Sequence, residues 1–176
     1  AENHQKDPAK KKIGAYYNAF IDKARIEELG IKPIAEYLDQ IDKLNTHSDI
    51  VEFFGASNPA GLDAPFNLYV GQDAKDATRY ILHLVQSGLG LPDRDYYSDT
   101  SVRGKEIIAR YQSYLEEILT LSGHLDGAGA ASRILDLESQ LASHQWNKID
   151  NRDADKRYNK LSSNELVALL SNLDVE

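Results

Sequence analysis

Only one region of this chain alternates, and that confines any sheet to one place. Phe66, Leu68 and Val70 are separated by single residues, as are Tyr80, Leu82 and Leu84, the period of a strand with one buried face. The spacing predicts one β-hairpin over about 66–72 and 79–85. Gly71 to Thr78, rich in Asp, Ala and Lys, would form a connection longer than the two-residue ideal. Two strands alone are marginal in water, so this ribbon is expected to lie against helices or against further chain. Everywhere else apolar residues return every three or four positions. The fold class expected is therefore mostly α, a multi-helix domain with one β-hairpin.

The helices carry recognisable ends. Asp7 and Pro8 make an N-cap and a first helical residue ahead of Ile13, Tyr16, Tyr17, Phe20, Ile21 and Ala24. Pro33 opens a second helix with Ile34, Tyr37, Leu38, Ile41 and Leu44 on its stripe, and a third runs from about Asp49 to Ala56. Thr100 or Ser101 caps a long helix that Gly123 ends. The next helix places Ile134, Leu135, Leu137 and Leu141 inward, with Trp146 in the core. Ser162 and Glu165 have capping-box spacing before a last helix.

Charge and composition exclude several functions. The formal net charge of −8, relieved only by Lys10 to Lys12, disfavours a nucleic-acid surface. There is no cysteine, hence no disulfide and no thiolate metal site. No apolar run approaches the roughly 18 residues that cross a bilayer. The 176 residues suffice for one domain or for part of a larger one. Ala1 at the start and the lack of any methionine suggest an excised or processed piece.

No complete catalytic site is legible. His4, His47, His83, His124 and His144 are far apart, and no HExxH would bring two imidazoles and a glutamate to one zinc. His83 falls in a predicted strand as an outward-facing polar residue. Asp93 and Asp95 flank Arg94, where ion pairing or backbone capping outweighs acid–base work. No phosphate loop or activated nucleophile is present. The most distinctive segment is residues 88–97, GLGLPDRDYY, which the glycines and Pro92 make an ordered loop anchored by Leu89, Leu91, Tyr96 and Tyr97.

Four stretches together carry a resemblance. They are KIGAYYNAFID from Lys12 with IEELGIKP from Ile26; FNLYV from Phe66 through YILHL to GLGLPDRDYY; ILDLESQLA from Ile134 with Trp146; and NRDADKRYNK from Asn151. In this order and spacing the chain resembles the N-terminal helical region of neprilysin-like zinc metallopeptidases, which include endothelin-converting enzymes and bacterial oligopeptidases. The match runs from about Asp7 to Leu173.

The resemblance implies that residues 1–176 are one domain or partial domain of a substrate-enclosing helical region, with the catalytic zinc domain absent from this chain. It implies a parent zinc metalloendopeptidase that cleaves peptides, with this part capping the chamber, restricting substrate size and catalysing nothing alone. Zinc belongs to the parent and not to this fragment. The implied partners are the missing C-terminal catalytic domain and peptide substrates, and the implied location is periplasmic or secreted. Ala19-Phe20 replaces the cysteine that animal members carry after the first tyrosines, which favours a bacterial relative.

No catalytic or metal residue is carried over. Arg94, Tyr96 and Tyr97 are the residues that could line the chamber, in what is otherwise a structural corner. The segment from Asn151 to Asn159 is expected to lock helices together, Arg152 or Arg157 pairing with Asp153 or Asp155. The alternative is a free-standing helical module that binds a peptide or protein.

Overall fold

A computed structural model describes residues 7–170. The chain divides into two compact units, residues 1–44 and 45–176. In the first unit, α1 spans Pro8–Ile21, and the Asp7 carboxylate accepts the Ala9 N–H at 3.0 Å, the expected cap. Asp22 then accepts the Arg25 N–H at 3.0 Å and starts α2, Lys23–Leu29. Pro33 sits in a 3-10 turn over Lys32–Ile34 that leads into α3, Ala35–Ile41. The apolar stripe of α1 forms but remains open: Ile13, Tyr16, Tyr17 and Phe20 are all exposed.

The second unit begins with α4, His47–Ser57, two residues earlier than its apolar pattern implies. A reciprocal capping box sets that start. Thr46 Oγ1 accepts the Asp49 N–H at 3.1 Å while Asp49 accepts the Thr46 N–H at 2.9 Å.

The expected hairpin is present and longer at its tip. β1, Phe66–Asp73, runs antiparallel to β2, Asp76–Gln86, with Phe66 opposite Gln86 and Gln72 opposite Tyr80. The connection is only Ala74 and Lys75, so the long loop expected between 71 and 78 is corrected to mostly strand. Two aspartates make this possible. Asp73 Oδ1 accepts the Lys75 N–H at 2.9 Å and Asp76 Oδ1 the Thr78 N–H at 3.1 Å, replacing ladder bonds where the register shifts.

The ribbon's exposure is inverted relative to its sequence pattern. Leu82 and Leu84 are 60% and 51% exposed, and Val70 and Tyr80 beside them are also open. The other face half-buries Ile81 and His83. His83 is therefore not outward: its ring stacks on Tyr69 at 4.7 Å, and Nε2 lies 3.2 Å from the Gln72 carbonyl.

After the 88–97 loop, which ends in the short α5 (Asp95–Ser98), come two long helices. α6 is Val102–Leu121, capped by Ser101, whose Oγ accepts the Gly104 N–H at 3.0 Å. α7 is Gly127–His144, capped by Asp126. The two helices pack together, with the small residues Gly127, Ala130, Ala131 and Ala142 buried on α7. Leu137 is 58% exposed and so is not an inward residue. The short α8, Ala154–Arg157, and α9, Ser163–Leu170, complete the unit, the latter with the predicted box between Ser162 and Glu165. Among the described residues there are nine α-helices and a single two-stranded sheet.

Candidate functional site

Two polar clusters and one cleft gather the chemistry-bearing side chains of the second unit. The first cluster fixes the 88–97 loop to the α6–α7 pair. The Tyr97 hydroxyl donates to Glu138 Oε2 at 2.6 Å and accepts the Leu91 N–H at 3.1 Å. Tyr111, from α6, donates to Glu138 Oε1 at 3.0 Å. Burial, and then the bond to Glu138, push both phenols well above the usual tyrosine range. The glycines of the loop serve different ends. Gly88 has φ 82°, and a Cβ there would come within 2.8 Å of Pro65 Cα. Gly90 has no left-handed backbone, but a Cβ there would fall 1.9 Å from the Tyr111 hydroxyl.

The second cluster ties the hairpin tip to the segment after α8. Asp73 is 2% exposed and accepts the Tyr158 hydroxyl at 2.9 Å, Lys160 Nζ at 2.6 Å and its own turn's Lys75 N–H. Lys75 Nζ lies 4.5 Å from the centre of the Tyr158 ring. The Lys160 bond and the Lys75 N–H hold the Asp73 carboxyl far below the usual carboxylate range, and the same bond raises Lys160. The expected Arg–Asp pairing within residues 151–159 is thus corrected. Asp153 caps α8 through the Asp155 and Lys156 N–H groups, Lys156 pairs with Asp150, and Arg157 donates to the Asn151 carbonyl. Asp153 faces backbone donors at a helix start, which is why it pairs with neither arginine.

Between the loop and the chain following α7 lies a cleft of about 590 Å³. Its walls are joined by side chain to backbone bonds. Gln86 both donates to the Trp146 carbonyl at 3.0 Å and accepts its N–H at 2.8 Å. Gln145 donates to the Ser87 carbonyl, and Arg94 donates to the Gln145 carbonyl. Trp146 lines this cleft and is 42% exposed, so it is not a core residue. Asp93 caps the Asp95 N–H at 2.8 Å, as expected, while Lys148 lies 3.7 Å from Asp93 and 3.8 Å from Asp95.

Of the three residues singled out in the sequence, Arg94 lines the cleft, Tyr97 belongs to the Glu138 cluster, and Tyr96 is half-buried in α5. Sequence reasoning missed Glu138, although it occupies the α7 stripe between Leu135 and Leu141, where a carboxylate needs a buried partner. Nothing local marks Asp73, whose partners lie 85 and 87 positions away. Among the described residues no group of three or more His, Cys, Asp or Glu could hold a metal ion. His4 lies outside them.

The described residues thus form a helical scaffold with one hairpin, two locked polar corners and a cleft. Comparison with known proteins gives the family: the family model "Peptidase family M13" matches residues 1–176. The chain belongs to peptidase family M13, as the N-terminal region of a neprilysin-like metallopeptidase. It is 30% identical over 175 residues to endothelin-converting enzyme 1 of Cavia porcellus, covering 92% of this chain and 22% of that protein. Endothelin-converting enzyme-like 1 of Mus musculus is 26% identical over 181 residues, 94% of this chain and 23% of the relative. The inhibitor complex of the Mycobacterium tuberculosis zinc metalloprotease Zmp1 superposes with a TM-score of 0.81 at 32% identity, over 90% of this chain and 24% of that one. Its open-state structure gives 0.80. The chain therefore spans about a quarter of the length of the proteins it matches.

Proposed function

We propose that this chain is part of the substrate-enclosing N-terminal region of a bacterial zinc metalloendopeptidase. In that reading it caps the catalytic chamber, restricts the size of peptides admitted and catalyses nothing alone. The observation that carries the reading is the family match over residues 1–176 in a sequence without HExxH, set against relatives of which it covers 22%. In this reading zinc and the water it activates are supplied by the remainder of the polypeptide, and no group of three or more His, Cys, Asp or Glu among the described residues could hold a metal ion. That remainder, the C-terminal catalytic domain, is the main partner, and peptides are the substrates.

Of the three chamber-lining candidates, Arg94 is the one assigned to a substrate-facing wall, because it borders an open cleft while Tyr97 commits its hydroxyl to Glu138. A periplasmic or secreted location belongs to the same proposal, and cell fractionation against a cytoplasmic marker tests it. The reading frame that encodes this chain is expected to continue past Glu176 to an HExxH. A stop codon directly after Glu176 would overturn the fragment reading in favour of a free-standing peptide- or protein-binding module.

A further inference from the structure

We infer that the cleft beneath the 88–97 loop is a binding site for an acidic peptide segment. Three cations border it, Arg94, Lys148 and Arg152, against one lining carboxylate, Asp93. In a chain of net charge −8 this is a local reversal of sign. The three cations are not equally engaged. Arg94 donates to the Gln145 carbonyl and serves the wall itself. Lys148 sits 3.7 and 3.8 Å from Asp93 and Asp95, beyond hydrogen-bond range, and its side chain is 59% exposed. Such an exposed pair holds weakly, so an incoming carboxylate can take the ammonium over. The Arg152 backbone N–H donates to the Ile149 carbonyl at 3.1 Å, but its side chain is exposed and has no hydrogen bond or ion pair among the described residues. Its planar guanidinium is free to receive a carboxylate through two parallel N–H donors.

Other features of the cleft match a peptide rather than a bare anion. Its volume of about 590 Å³ falls within the roughly 300–1,000 Å³ of small-ligand sites. The indole of Trp146 and the side chains of Leu89 and Pro92 supply apolar wall, and Asn151, whose amide also donates to the Trp146 carbonyl at 3.5 Å, offers its second amide hydrogen and its side-chain oxygen to peptide groups. The reciprocal Gln86–Trp146 bonds and the Gln145–Ser87 bond hold the walls before any ligand arrives. A preformed site loses less entropy on binding. The inference rests on the reading that makes the Arg94 wall substrate-facing and adds the charge of the segment it takes; its test reads binding without zinc or catalysis, so its failure is distinguishable from failure of that reading.

Trp146 is the sole tryptophan of the chain and lies in the cleft, so its emission reports occupancy directly. The 176-residue chain is titrated with N-acetyl triglutamate amide, with N-acetyl trilysine amide and inorganic phosphate as controls. The expected result is a saturable change in emission with triglutamate alone, weakened by added salt. Arg152→Gln should weaken it about fivefold and Arg152→Gln with Lys148→Gln by about tenfold or more. Both side chains are solvent-facing, so circular dichroism should show the variants folded. Absence of a saturable change overturns the inference, as does unchanged affinity in the double variant. An equal response to phosphate overturns the peptide assignment and leaves a simple anion site.

Discussion

Glu138 shows how much one side chain can hold here. Its two oxygens take two phenols from different elements, and Tyr97 in turn accepts the Leu91 N–H, so a single hydroxyl bridges loop and helix. Tyr97→Phe removes both hydroxyl bonds and strands the Leu91 N–H, an expected loss of about 1–3 kcal/mol in urea unfolding. Tyr111→Phe should cost less, about 0.5–1.5 kcal/mol, because it breaks only the bond to Glu138 and strands no backbone donor. The two phenols also set an alkaline signature. Their pKa values rise on folding, so their contribution is full below the unfolded value near 10 and is lost as pH climbs through the raised values. Stability should fall above about pH 10, and the double Tyr→Phe variant should flatten that fall.

Asp73 has the opposite sign. Its pKa drops on folding, so its contribution is full above the unfolded value near 4 and is lost progressively as pH falls from there through the lowered folded value. Asp73→Asn should lower the melting temperature at pH 7 and remove part of the difference between pH 7 and pH 3, the rest coming from Asp49, Asp99, Asp126, Asp150 and Glu165, whose carboxyls are also lowered. An unchanged acid limb in thermal melts would show that the hairpin tip is not held this way.

At the scale of elements, the 88–97 loop is a corner defined by what its glycines exclude. Gly90→Ala pushes a methyl into the Tyr111 hydroxyl, and Gly88→Ala combines a left-handed backbone with a clash against Pro65. Each should destabilise by about 1–3 kcal/mol in denaturant titration. Local signals were sufficient for much of this architecture. Asp7, Ser101 and the Ser162–Glu165 box cap the helices they were expected to cap, because a cap is made by residues within four positions. The hairpin was legible from its alternation, but its tip was not, since Asp73 and Asp76 bond the turn where composition reads as loop. Asp73 with Lys160, and Glu138 with Tyr97, join residues dozens of positions apart, and no local pattern marks such pairs. One wall of the cleft was legible as the ordered 88–97 loop, with Arg94 its candidate residue. The other wall, from residues 145–152, was not: Trp146 and Asn151 belong to stretches that carry the resemblance, but nothing local places them opposite the loop.

For the molecule as a whole, open apolar surface is the dominant fact. Val70, Tyr80, Leu82 and Leu84 share one ribbon face and remain exposed, a arrangement typical of surface awaiting a partner. Isolated chain is therefore expected to self-associate with rising concentration in sedimentation velocity, and Val70→Thr with Leu82→Thr to reduce that association. A monodisperse monomer across the whole concentration range would contradict it. The chain belongs to peptidase family M13; the central proposal is that it supplies enclosure and not chemistry. The most direct measurement is zinc stoichiometry by elemental analysis on the purified chain, read together with turnover of an unstructured peptide in the presence of zinc. The account predicts no tightly bound zinc and no cleavage; stoichiometric zinc with turnover that a chelator abolishes would contradict it.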